Sequence, residues 1–216
     1  MLKSKPNSNY SVNFYDTSHN HIIESVNQSL KDLGTDYLDF LLIHRPDQLM
    51  SPYHIDETFL ELKNAGKVLN FGVSNFTAPQ VDMMRACMET PLAINQIEFS
   101  ALHTAPLFNG TLDQCIQHQI GPLAWSPLGG GRLFTGTDSQ SVRVREELVR
   151  IGNDLGGVGI DAIALAWLLK HPSQVCPIIG TLKPERIQSA VKALSIELSN
   201  EQWYKILVES QGHPVP

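Results

Sequence analysis

Cysteine is scarce in this sequence: Cys87, Cys115 and Cys176 are an odd number, with no C-x-x-C pair and no histidine nearby at metal-ligand spacing. This argues against a disulfide framework and against a zinc site, and leaves the thiols as core or surface residues. Long hydrophobic runs are missing too. The longest, "IALAWLLK", falls far short of the roughly 20 residues of a spanning helix. The opening "MLKSKPNSNYSVNFYDTSHN" is too polar for a secretory segment, so the expectation is a soluble, cytoplasmic protein without a membrane partner. Positive charge is also in deficit, at 16 Lys+Arg against 22 Asp+Glu, a net charge of −6. The cations are scattered, which argues against a nucleic-acid surface.

What is present is ordinary globular composition, 42% hydrophobic over 216 residues, enough for one sizeable core. No low-complexity tract or linker marks a second domain, so residues 1–216 are read as a single domain with an irregular start over 1–16. From Ser18 the spacing of Ile22, Ile23, Val26, Leu30 and Leu33 predicts a helix that Gly34 stops. "DYLDFLLIH" then reads as a strand, and the alternation repeats. Strands are expected at about 38–44, 68–74, 92–98, 121–126 and 175–180. Helices are expected near 54–65, 81–87, 112–116, 140–152, 160–170, 184–193 and 199–209. Strict β-α alternation implies a parallel sheet, because parallel strands need a crossover and a helix usually supplies it.

A doubly wound sheet and a (β/α)8 barrel both alternate in this way. Here every strand ends in a polar cluster: His44-Arg45-Pro46-Asp47, Ser74-Asn75, Asn95-Gln96, Trp125-Ser126 and Gly180-Thr181. Polar residues at many carboxyl ends fit a barrel mouth, whereas a doubly wound sheet concentrates them at one switch point. The expected fold is therefore an α/β TIM barrel, incomplete, since a barrel of eight βα units runs to roughly 250 residues and about five units are legible here.

The stretches "YLDFLLIHRPD", "GKVLNFGVSNF", "AINQIEFS", "LAWSPLGGGRLF" and "PIIGTLKPERI", in this order, resemble the aldo-keto reductases, in particular a bacterial branch of oxidoreductases, over about residues 17 to 209. The resemblance implies an NADPH-dependent reduction of a small aldehyde or ketone to an alcohol. It implies that His44 donates a hydrogen bond to the substrate carbonyl; a strand-capping core histidine is the plainer alternative. Ser74, Asn75 and Gln96 match positions that bind the nicotinamide carboxamide, although such side chains can equally hold a loop. Trp125 stands where the family stacks an aromatic, often tyrosine, on the nicotinamide.

By the same resemblance Ser126, Leu128 and Gly129 lie along the pyrophosphate, with Gly130, Gly131 and the cation of Arg132 beside them. Bare backbone N–H groups suit that contact. Gly180, Thr181 and Arg186 fall in the segment that holds the adenosine ribose and its 2′-phosphate. Gly180 replaces a common lysine, and Lys183 is the candidate substitute. Two cations favour NADPH over NADH.

The family's remaining catalytic Asp, Tyr and Lys match no position here. Tyr10 and Tyr15 read as loop residues, and Lys3 and Lys5 follow no strand. The chain is accordingly expected to lack the first three βα units and to be impaired by itself. Two other readings stay open: a non-catalytic NADP(H)-binding regulatory module, and an unrelated barrel whose "SPLGGGR" holds a substrate phosphate. Which carbonyl is reduced, and the oligomeric state, are not legible.

Overall fold

A computed structural model describes residues 14–215; the expectations for Tyr10, Lys3 and Lys5, and most of the irregular start, lie outside the described residues. The chain forms two compact units, residues 1–96 and 97–216.

In the first unit the expected order holds. Helix α1 (His19–Leu33) ends at Gly34, whose φ of 65° is the left-handed cap that glycine adopts without steric cost. Strand β1 (Leu38–Ile43) follows, then α2 (Pro52–Asn64), entered through Ser51, whose side chain accepts the His54 N–H. Strand β2 (Val68–Ser74) leads to α3 (Ala78–Cys87), which opens on a reciprocal Thr77/Gln80 capping box. Strand β3 (Leu92–Glu98) completes the set. β1 pairs with β2 and β2 with β3, all parallel, Leu42 opposite Gly72 and Ser74 opposite Gln96. The core here is Ile55, Phe59, Leu62, Val68, Phe71 and Met84, with Phe59 stacked on Phe71 at 4.1 Å between centroids. Asp56 is buried among these helices and accepts the N–H groups of Glu89 and Thr90 at 2.8 and 3.0 Å.

In the second unit α4 (Thr111–His118) precedes β4 (Gly121–Trp125). A tight turn through Gly129–Gly131 then enters a four-residue helix, α5 (Arg132–Thr135), where the sequence reads only as a glycine-rich loop. α6 (Ser139–Asp154) and α7 (Ile160–Leu169) follow, then β5 (Cys176–Pro177), α8 (Pro184–Lys192) and α9 (Asn200–Gln211). β4 and β5 pair in parallel. β5 is shorter than the expected 175–180: beyond the Ile178 N–H, bonded to Ala124 at 2.9 Å, Ile178 and Ile179 are partly exposed, at 38% and 37%. The core is built on α7, seven of whose ten residues are buried. Trp167 and Trp203 stack at 5.1 Å, and each indole N–H donates to the other residue's carbonyl at 3.0 Å.

Within each unit the strands stand side by side in chain order, as in a barrel wall and unlike the reversal at the switch point of a doubly wound sheet. The thiols are free, Cys115 buried, Cys87 half-buried and Cys176 exposed. Among the described residues no helix is long and apolar enough to cross a membrane.

Candidate active site

His44 follows β1 directly, and its carbonyl accepts the Asn75 side-chain amide at 3.2 Å. The same amide donates to Ser74 Oγ at 2.8 Å, and Ser74 Oγ donates in turn to the Gln96 carbonyl at 3.0 Å. The Asn75 backbone N–H also donates to that carbonyl, at 2.8 Å. Four of the sequence-predicted residues, at the ends of three neighbouring strands, are thus joined in one hydrogen-bonded chain. Ser74 is 1% exposed and both its donor and acceptor roles are met inside the protein, which is the loop-holding alternative. Asn75 has φ 61°, a left-handed backbone that asparagine tolerates better than most residues. The Asn75 bonds to His44 and Ser74 hold that turn.

Beside His44 lies a cavity of about 40 Å³ lined by Tyr15, Asp16, Thr17, His21, His44 and Arg45, among others. Its mouth loop is pinned by Thr17 Oγ1, which donates to Asp47 at 3.2 Å. The sequence reading sets Tyr15 aside as a loop residue; it does lie outside regular structure, yet it shares this cavity. Periodicity carries no signal for such a residue, because the stretch before α1 has none.

The second unit holds a larger cavity, about 780 Å³, in the size range of ligand sites. Trp125, Ser126 and Leu128 line it from the end of β4, Gly130 and Gly131 from the turn, and Gly180, Thr181 and Arg186 from the approach to α8. Phe134, Thr135, Asp161 and Ile178 also line it, and the sequence pointed to none of them. Ser126 has φ 50°, and Gly129, Gly130 and Gly131 follow at 63°, 62° and 93°. A Cβ on Gly129 would approach Leu102 Cδ1 to 2.7 Å, whereas at Gly130 and Gly131 there is open space and the positive φ is what favours glycine.

Three cofactor residues expected in this unit are not among the lining residues. Gly129 packs toward Leu102 and is not in the lining. Arg132 pairs with Asp138 at 3.2 Å. Asp138 is held well below the usual carboxylate range, chiefly by the Ser141 N–H and hydroxyl, then by Arg132. Lys183 is the N-cap of α8 through its backbone, its N–H donating to Thr181 Oγ1 at 3.2 Å, and Arg186 is the cation among the lining residues.

An anionic, partly aromatic ligand fits this donor set: a backbone turn without side chains, one guanidinium, and apolar walls of Trp125, Phe134 and Ile178. Comparison with known proteins agrees. The sequence profile of the Aldo/keto reductase family matches residues 2–207. The uncharacterized oxidoreductase YcsN of Bacillus subtilis is 43% identical over 216 residues, which is 100% of this chain and 72% of that protein. Oxidoreductase YdhF of Escherichia coli is 43% identical over 205 residues, 95% of this chain and 68% of that one. A 6-dehydroglucose reductase of Agrobacterium fabrum is 40% identical over 204 residues, 94% and 67% of the two chains. The crystal structure of a thermostable aldo-keto reductase in complex with the inhibitor epalrestat superposes with a TM-score of 0.81 at 26% identity, covering 89% of this chain and 67% of that one.

Proposed function

The chain belongs to the aldo/keto reductase family of oxidoreductases, and from that premise we propose that it is an NADPH-dependent reductase of a small aldehyde or ketone. The observation that carries the reading is the glycine-walled cavity with Arg186 among its lining residues. NADPH, when bound, supplies the hydride. Gly130 and Gly131 offer the pyrophosphate backbone without side chains, the Gly131 N–H being already engaged with the Leu128 carbonyl at 3.2 Å, Arg186 and Thr181 take the 2′-phosphate and ribose, and Trp125 offers its face to the nicotinamide.

In the first unit Asn75 and Gln96 recognise the planar carboxamide, and Ser74 positions them. His44 donates a hydrogen bond to the substrate carbonyl, which polarises it and fixes its orientation. Arg132 is paired with Asp138 and Arg186 is the cation among the lining residues, so NADPH selectivity rests chiefly on Arg186, with the Lys183 ammonium three residues before it as the second cation. That the 6-dehydroglucose reductase relative is named for carbonyl reduction supports the substrate class.

Titrating the chain with NADPH and with NADH, following the quenching of tryptophan emission, tests the cofactor assignment. Tighter binding of NADPH is expected, and equal affinity overturns the selectivity. NADPH oxidation over a panel of aldehydes and ketones tests turnover. Binding without turnover of any carbonyl would favour the regulatory module.

A further inference from the structure

α5 is a single turn preceded by three glycines, and a turn of that length does not hold itself together in water. Two of its four residues, Phe134 and Thr135, nevertheless stand in the wall of the large cavity. What holds them there comes from α6. Arg145, ten residues on from Thr135, places Nη1 at 3.3 Å from the Leu133 carbonyl, 3.3 Å from that of Phe134 and 3.0 Å from that of Gly136. One terminal nitrogen carries two protons for these three acceptors, so one proton is shared between two of them. A cation at this end matches the negative pole of the helix.

Two more contacts act in the same sense. At the other end of α5, Arg132 pairs with Asp138, the N-cap of α6. Just past α5, Gly136 comes so close to α6 that a Cβ there would lie 2.5 Å from Ser141 Oγ and 2.6 Å from the Arg132 carbonyl. The φ of Gly136 is −64°, so contact and not conformational freedom makes glycine necessary.

We infer that Arg145 is a positioning residue for the dinucleotide cavity: it touches no ligand, and by gathering the carbonyls of α5 it keeps Phe134 and Thr135 in the wall and thereby sets cofactor affinity. The inference rests on the cofactor assignment above. Arg143, on the same helix, serves as a control, because its Nε donates to the Glu209 carbonyl of α9 and reaches no part of α5.

NADPH affinity by fluorescence quenching, thermal midpoint, and amide exchange at Leu133–Gly136 in cofactor-free protein would be measured on the full chain and on R145A, R145K, R143A and G136A. R145A and G136A are expected to weaken NADPH at least tenfold and to speed exchange across α5. R145K should recover part of both, since an ammonium can meet one or two carbonyls. R143A should lose thermal stability and leave affinity and α5 exchange unchanged. Wild-type affinity in R145A, or equal weakening in R143A, overturns the inference. If the unsubstituted chain binds no NADPH, the cofactor assignment fails by itself. The exchange arm then still decides whether Arg145 holds α5, and unchanged exchange in R145A refutes that.

Discussion

The two candidate sites solve one problem in opposite ways. In the first unit polar side chains at strand ends are held by one another: Asn75, Ser74 and Gln96 form a closed relay that ends on the His44 carbonyl. In the second unit the walls are backbone and apolar surface, the glycines at 129–131 carry no side chains to organise them, and α5 is tethered from outside by Arg145 and Asp138. A satisfied relay is rigid because any displacement leaves a buried polar group unpaired. A bare turn accepts a large anion because nothing fills it, and needs bracing for the same reason. Rigidity suits orientation of a reacting carbonyl; a braced, open groove suits holding an extended cofactor.

Substitutions can break that contrast, beginning with the largest effect. Gly72, in the middle of β2, has the Ile94 carbonyl oxygen 2.5 Å and Leu42 Cδ2 2.6 Å from where a Cβ would sit. Gly72→Ala should therefore cost about 3 kcal/mol of stability, read by urea unfolding, because backbone cannot move aside as a side-chain tip can. Arg186→Ala should weaken NADPH by about 2 kcal/mol, roughly thirtyfold, and leave NADH affinity and the melting temperature nearly unchanged, since a charge-assisted contact to the 2′-phosphate is all that is lost. Equal loss for both cofactors would refute that role.

Asn75→Ala should destabilise by about 1.5 kcal/mol, the sum of a lost hydrogen bond and a left-handed backbone that alanine disfavours. Asn75→Gly keeps the turn and loses only the bonds. If both variants melt alike, the relay and not the backbone carries the cost.

A smaller, pH-dependent effect separates the units. Burial raises the Asp56 pKa, but the hydrogen-bonding groups of Thr90 and Glu89, whose N–H groups donate to it, outweigh it, so the net value lies below the ordinary 3.8. A carboxylate depressed on folding adds stability above its unfolded pKa and loses it as pH falls through the folded one. The melting-temperature gap between the wild-type chain and Asp56→Asn should therefore be constant near pH 6 and shrink below about pH 4. The smallest effect is expected at Val191. It is 59% exposed on α8 beside Ile187 and Leu194, and no residue of that helix is buried. Val191→Glu should change stability by less than about 0.5 kcal/mol, read by urea unfolding.

What the sequence by itself determined was whatever short-range chemistry dictates. Period-3.6 spacing marked α1, Gly34 its end, and the apolar runs β1 to β4 within a residue, because burial pattern and capping are local. The side-chain relay was half legible: four polar residues at strand ends could be named, yet their mutual bonds depend on which strands are neighbours. The shortness of β5 was hidden, since Ile178 and Ile179 look apolar enough to be strand and instead line the open cavity, partly exposed.

Only the tertiary structure decided which of the candidate cations lines the cavity. Arg132, Lys183 and Arg186 all read as phosphate ligands in a linear string, but Arg132 meets Asp138, Lys183 enters α8 through its backbone, and of the three it is Arg186 that lies in the lining. It also decided the parts of Tyr15, Phe134 and Arg145, to which no motif assigns a role. Their roles follow from how one segment lies against another, and a pairing set by packing leaves no period in the sequence from which to read it.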